Sequence, residues 1–328
     1  MPRLVRVAAP SRLHFGLWSL GGEGRQFGGV GAMVERPGLV LEIAPALEFA
    51  ATGPLAARAG VFARRWAEFH RQPLPACALR VAEAPPEHVG LGTGTQLGLA
   101  IAAGMSAWCG LPAQSPLELA VSVGRAERSA IGTHGFVLGG LIVEQGKLPG
   151  EPVSPLDCRI ALPEAWRFVL VRPLGQAGLA GEDEAQAIAA LPPISDAVRE
   201  RLISEARDGL VPAAATGDFR TFAASLYQYG NLAGQCFKAR QGGPYNGPVL
   251  TALVERIRSL GFTGVGQSSW GPTLFVISEN EASARRLAAE LAADALEILV
   301  TAPSNSGARI EVRDPDPNPA NPAAVQRP

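Results

Sequence analysis

The sequence predicts an α+β chain of two domains. Three observations point there. Strand-like apolar runs and helical periodicities are mixed in an order that does not build one doubly wound sheet. A proline- and glycine-rich stretch, residues 147–163, separates two such patterns. The 328 residues, 47% hydrophobic and 18% charged, can fill two cores and are not those of a disordered protein. With a formal net charge of −1 and no long basic block, neither nucleic acid nor an anionic membrane surface is expected as a partner, which leaves room for a local basic pocket. Cys77, Cys109, Cys158 and Cys236 are scattered and form no Cys-x-x-Cys pair, so neither a zinc site nor a disulfide framework is expected. No apolar run reaches the roughly 20 residues of a membrane span, and a cytoplasmic location is expected.

The first domain opens with a strand over residues 4–9. Residues 11–31 read as a long polar, glycine-containing connection, followed by a strand over 39–43. Residues 60–70 read as a helix, with Val61, Phe62, Trp66 and Phe69 at helical spacing. A strand over 79–84 leads into a glycine loop, Pro86 to Gln96, and then a buried helix over 97–108. Ser115, Pro116 and Glu118 make a helix start with a capping box, and that helix should run to about residue 128. Residues 129–136 read as a loop and 139–143 as a buried strand. In the second domain strands are predicted over 166–171, 262–265, 273–277 and 296–300, with a last one over 308–312. Helices are predicted over 194–208, 219–238, 249–260 and 281–293. From residue 314 onward prolines, asparagines and charges predict disorder.

The glycine loop is the strongest chemical signal. Gly90, Gly92 and Gly94 allow positive φ and a close approach by a ligand. A helix starting directly afterwards directs unpaired N–H groups and its positive dipole end at the loop, which suits phosphate. The loop lacks the Gly-Lys-Ser/Thr ending of a Walker loop and the glycine spacing of a dinucleotide turn. Thr93, Thr95 and Gln96 add hydroxyl and amide groups for phosphate oxygens or a metal. Three further segments stand out. Arg12 and His14, two residues apart in an extended segment, share one face; they form an anion grip or a strand end with solvated charges. Arg125 to Phe136 holds Arg128, Ser129, Thr133 and His134, of which His134 is a catalyst or a surface residue. Gln267, Ser268, Ser269 and Trp270 lie between glycines, in a turn that approaches a ligand or packs Trp270 into the core. The acidic run Glu182-Asp183-Glu184 suits a helix N-terminus or a metal.

Together these segments resemble the GHMP kinase superfamily, over most of residues 1–312. That family has an N-terminal strand and loop, a Pro-x-x-x-Gly-Leu-Gly-Ser-Ser phosphate loop and a late glycine turn. Their counterparts here are Pro10 to Gly31, Pro86 to Gln96 and Gly264 to Gly271. The resemblance implies a domain like ribosomal protein S5 domain 2 over residues 1–155 and a ferredoxin-like domain over 156–313, with the ligand between them and a disordered tail over 314–328. Two departures matter. The loop reads Gly92-Thr93-Gly94-Thr95 where the kinases hold magnesium with a serine. Where many of them place the aspartate that activates the phosphate acceptor, this chain has Gly132, and no aspartate occurs between Arg125 and Leu156.

Four blocks, Arg12 to Gly16, Gly90 to Leu97, Arg128 to Phe136 and Gly266 to Pro272, are similar to one branch, the β-ribofuranosylaminobenzene 5'-phosphate (ribofuranosylphenol phosphate) synthases. The resemblance implies a condensation of phosphoribosyl diphosphate with 4-hydroxybenzoate or 4-aminobenzoate. Diphosphate and CO2 leave, a C-riboside forms, and the product feeds methanopterin synthesis. CO2 leaves the attacked carbon in place of a proton, so no strong base is needed there. In this reading Arg12, His14, Arg128 and His134 are the catalytic set. The glycine loop, Arg25, Thr133, Gln267, Ser268, Ser269 and Trp270 bind substrate. No organic cofactor is expected; magnesium enters, if at all, on the diphosphate. A homodimer is the family's expectation. A GHMP-type kinase using ATP and a non-catalytic metabolite binder are the rival readings.

Overall fold

The computed structural model describes residues 4–313 apart from 22, 176–177, 179–185 and 293–294. The acidic run at 182–184 and the tail expected from 314 lie outside the described residues.

A long antiparallel hairpin is the spine. β1 (Leu4–Leu17) pairs with β2 (Gly29–Pro45) from Val5 opposite Ile43 to Leu17 opposite Gly29, with register breaks after Ala9 and His14. The polar, glycine-containing stretch expected to be a connection is therefore strand on both sides. Leu13 and Phe15 are sealed in a core on one side, while Arg12 and His14 face a cleft on the other. Polar side chains toward a cleft mimic a loop in sequence, because the alternation rule assumes that the polar face meets bulk water.

Both halves of β2 are used. Residues 40–45 pair with β4 (Cys77–Glu83), and residues 29–32 pair with β5 (Leu141–Glu144). β3 (Ala50–Thr52) lies parallel to β4, β6 (Leu156–Ile160) extends the sheet beyond β5, and β11 (Arg309–Arg313) flanks β1. The result is a seven-stranded sheet. The expected division at 155/156 assigns β6 and β11 to the second domain, but their hydrogen bonds place them in the first sheet. α1 (Ala56–Phe69) and α2 (Thr93–Trp108) cover this sheet, with Trp66, Leu97 and Ile101 in its core. α2 is buried almost all round, as its continuous small and apolar sequence requires.

Two local expectations change. The capped helix α3 (Pro116–Ser122) closes its capping box but stops before Gly124, whose φ of 63° ends it. The next segment, expected as a loop, is α4 (Ile131–Leu138). Its glycines argue against a helix by propensity. Packing overrides that: a Cβ on Gly135 would stand 2.2 Å from the sulfur of Met33, so only glycine lets the helix lie this close to β2.

The second sheet runs β10 (Leu296–Thr301), β7 (Arg167–Pro173), β9 (Leu274–Ser278), β8 (Val265–Gln267), antiparallel throughout. In chain order that is the 4-1-3-2 pattern of the expected ferredoxin-like unit. Its helical layer comprises α5 (Asp196–Ser204), a π turn at Glu205–Leu210, α6 (Val211–Thr216), α7 (Phe219–Gln235), α8 (Gly247–Ser259) and α9 (Glu281–Leu291). No described helix is long and apolar enough to cross a membrane.

One hydrophobic core joins the sheets. Leu13, Phe15 and Val30 of the hairpin pack with Phe168, Phe222 and Phe275 of the second unit. The rings of Phe15 and Phe275 are 5.0 Å apart, and Tyr229 on α7 donates its hydroxyl to the Gly16 carbonyl at 2.8 Å. Phe275→Ala should therefore lower unfolding free energy by about 3–5 kcal/mol. Urea unfolding of the variant and the parent checks this.

Candidate active site

Between the two sheets lies a cleft of about 320 Å³, built around the glycine loop. β4 leads into the loop, and α2 starts at Thr93 after Gly92 with φ 71°; Gly90 also has positive φ, 89°. The amides of Thr95 and Gln96 fold back to the Gly92 carbonyl. No side chain caps the helix start, so its first amides and positive dipole end are available to an anion in the cleft.

Arginines surround this helix end. A Cβ on Gly94 would fall 2.3 Å from a guanidinium nitrogen of Arg58, and one on Gly92 would fall 3.2 Å from Cβ of Arg12. Gly94 thus lets the Arg58 cation lie against the backbone, and Gly92 makes room for the stem of Arg12. Arg125 donates to Thr95 Oγ1 at 3.3 Å and lies over the Phe62 ring at 5.7 Å. Burial and then Arg58 pull its pKa down to about 10, which leaves it cationic at neutral pH. Arg12, Arg58, Arg125 and Arg128 border the cleft against the carboxylates Glu87 and Glu127, and Glu87 is already paired with Arg58. Among the described residues four cations face two anions there, an electropositive lining suited to phosphate.

The late turn closes the site from the second unit. Ser268 is fully buried; its hydroxyl accepts the His14 amide at 3.0 Å and donates to the Gly90 carbonyl at 2.6 Å. Ser269 donates its amide to the His14 carbonyl, and Arg12 donates its amide to Leu91. Trp270 and Phe237 meet edge to face at 5.1 Å and form an aromatic wall of the cleft.

Of the residues singled out in the sequence, the structure gathers Arg12, His14, Gly90, Gly92, Thr93, Gly94, Thr95, Arg128, Ser129, Gln267, Ser269 and Trp270 around this cleft. The others lie elsewhere. Arg25 makes a two-pronged ion pair with Glu151 and bonds the Gly146 carbonyl, away from the cleft lining. His134 points into the interior from α4, with Nε2 on the Ser154 carbonyl at 2.8 Å; burial lowers its pKa and favours the neutral ring. Its expected place beside the reacting atoms is therefore not where the helix puts it. Thr133 is buried in the same helix. Gln96 turns inward to donate to the Gly132 carbonyl, and Ser268 acts through its clamp on the backbone.

Sequence reasoning passed over Arg58 and Glu144, and took Arg125 only as the first residue of a segment, with no role. Arg58 and Arg125 are far from the loop in sequence, and nothing local marks them among the chain's other arginines. Glu144 does carry a signal: it ends the apolar run Leu141-Ile142-Val143, an unusual place for an acid. Burial pushes its pKa up to about 7, against hydrogen bonds from Ser129, Ala130 and Ser154 that favour the carboxylate. Burial, then Arg12, holds the His14 imidazolium well below its ordinary range. Among the described residues no group of three or more His, Cys, Asp or Glu could hold a metal.

The fold and this phosphate-suited cleft define the class. Residues 210–297 match the model described as GHMP kinases C terminal. Mevalonate pyrophosphate decarboxylase from Streptococcus pyogenes superposes with a TM-score of 0.69 at 12% identity, over 93% of this chain and 98% of that one. Homoserine kinase from Cytophaga hutchinsonii does so at 0.66 and 13%, over 94% and 97%. The chain has the GHMP kinase fold.

Within that class two relatives are similar over nearly their whole length. β-Ribofuranosylphenol 5'-phosphate synthase from Methanothermobacter thermautotrophicus is 30% identical, over 92% of this chain and 97% of its own. The protein of the same name from Archaeoglobus fulgidus is 29% identical, over 94% and 100%. The chain belongs to the β-ribofuranosylphenol 5'-phosphate synthase family.

Two outcomes test the site. Arg125→Met should weaken the binding of inorganic diphosphate about ten-fold or more, read by titration calorimetry. Glu144 in the unfolded chain ionises near its ordinary value of 4.5 and in the folded chain near 7. Between those values the folded state holds the extra proton, so unfolding free energy should fall with rising pH, by up to about 3 kcal/mol. Glu144→Gln should remove that slope in denaturant titrations between the two pH limits. The difference between the two proteins separates it from the opposite slope of a buried neutral His14.

Proposed function

We propose that the chain joins phosphoribosyl diphosphate to 4-hydroxybenzoate, or to 4-aminobenzoate, with release of diphosphate and CO2 and formation of a C-riboside for methanopterin synthesis. The observation that carries this reading is the pairing, in one cleft, of a cationic phosphate cradle with an aromatic wall and no acid at position 132. The ribosylated phenol in the relatives' name favours the hydroxy acid.

The first amides of α2, with Arg58, Arg125 and Arg12, take the phosphate oxygens. Charge that builds on the departing diphosphate meets donors already in place, so little reorganisation is needed as the C1–O bond breaks. Trp270 and Phe237 hold the benzoate ring against the ribose, which turns a bimolecular encounter into a positioned attack. Loss of CO2 restores the ring's aromaticity, and the cleft needs no base at that carbon. Glu87 is engaged by Arg58, so in this reading magnesium travels on diphosphate oxygens and water instead of a protein cage. The family's expectation of a homodimer and the cytoplasmic location expected from the sequence are carried with the proposal.

Protein incubated with phosphoribosyl diphosphate and carboxyl-labelled 4-hydroxybenzoate should release labelled CO2 and diphosphate in equal amounts. ADP made from ATP without CO2 would instead mark a kinase, and binding without either product a metabolite binder.

A further inference from the structure

Glu144 is sealed from solvent at the end of β5. A carboxyl there is costly unless its oxygens are bonded. Both are: Ser129 Oγ lies 2.5 Å from Oε1, and the Ala130 amide donates to Oε2 at 2.7 Å. The contacts continue outward. Ser129 Oγ is 3.1 Å from Nε2 of His14, and Ser129 and His14 both border the cleft. Nδ1 of His14 makes no hydrogen bond among the described residues. Ser129 also accepts the Ile131 amide at 3.3 Å. With Glu144 ionised, the serine hydroxyl donates to the carboxylate and His14 Nε2–H donates to the serine, which leaves Nδ1 as the acceptor toward the cleft.

We infer that this hydrogen-bonded file, His14 to Ser129 to Glu144, carries the acceptor's phenolic proton between the cleft and a buried store. The inference rests on the synthase reading above. The 4-hydroxyl gives its proton to His14 Nδ1; Nε2–H passes to Ser129, and the serine proton passes to Glu144. The ring carbon that bears the carboxylate forms its bond to C1 of the ribosyl group. The C1–O bond breaks, and its electron pair leaves on diphosphate. The bond to the carboxylate then breaks as CO2 departs, its electron pair returns to the ring as phenolate, and the proton comes back along the file. Nothing is taken up or released overall, which suits an acceptor shut off from bulk water.

The surroundings of Glu144 fit a group that both takes and returns a proton. Arg12 on β1 favours the carboxylate, and the Ser154 hydroxyl bonds it as well. Tyr229 on α7 faces it with a hydroxyl whose pKa burial raises, so it stays neutral. His134, on the Ser154 carbonyl, is held neutral by burial. His14 is neutral too, so it relays a proton instead of keeping it. Ser129 and Glu144 act through His14 and are positioning residues.

Full-length Glu144→Gln and Ser129→Ala are compared with the parent for CO2 release from 4-hydroxybenzoate and from its 3,5-difluoro derivative, whose phenol is far more acidic. With 4-hydroxybenzoate each variant should lose about 100-fold in kcat at a nearly constant KM for the ribosyl donor. With the difluoro acid the loss should shrink to about three-fold, because less base is needed. Glu144→Asp should recover part of the rate, and the limb of the kcat–pH profile near 7 should vanish in Glu144→Gln. Thermal melts establish folding, and Ser129→Ala carries the test should Glu144→Gln not fold. Variants within two-fold of the parent, or an equal loss with both acceptors, would overturn the relay. A parent that releases no CO2 overturns the synthase reading, and the relay with it.

Discussion

The hydroxyl of Ser268 holds the site together. It accepts the amide of His14 and donates to the carbonyl of Gly90, joining positions 254 and 178 residues away. Buried and satisfied on both sides, it fixes the hairpin, the glycine loop and the late turn against one another in a water-poor environment, where a broken hydrogen bond costs more than at the surface. Arg12, His14, the start of α2 and Trp270 all take their positions from these three segments. The shared core behind them, with Phe15 against Phe275, keeps the two sheets from moving apart.

Electrostatics divides the cleft into two parts. Toward α2 the arginines and the helix dipole accumulate positive charge, which Glu87 offsets at Arg58 and an anionic ligand would offset further. Toward β5, burial raises the pKa of Glu144 behind the cleft lining and favours the neutral ring of His14. Glycine makes the first part possible: at Gly94 the missing Cβ is what lets the Arg58 guanidinium reach the backbone that also faces the ligand. The fold is the GHMP kinase fold, and the position where the resemblance would put an acid is a glycine in α4, its carbonyl occupied by Gln96. A carboxyl enters the site from another strand, at Glu144, and reaches the cleft only through Ser129 and His14.

Much of the fold could be read in the chain because it rests on local rules. The apolar small-residue run of α2, the capping box of α3 and the short apolar runs of β7 and β9 each appear where the local sequence placed them. The hairpin was hidden because its polar face lines a cleft, and α4 because its glycines serve packing against Met33. His134 was misplaced by the same error, since a residue assumed to sit on a loop sits on a helix and points inward.

The sequence by itself determined the mixed architecture and the glycine loop with its phosphate-suited helix start, because glycine, proline and hydrophobic period act over a few residues. Only the tertiary structure decided which distant side chains meet there. Arg58 and Arg125 join the cradle, Arg25 leaves it for Glu151, and Glu144 becomes a buried partner of His14. Long-range pairing and burial set those neighbours, and with them the charge and the protonation that each group keeps.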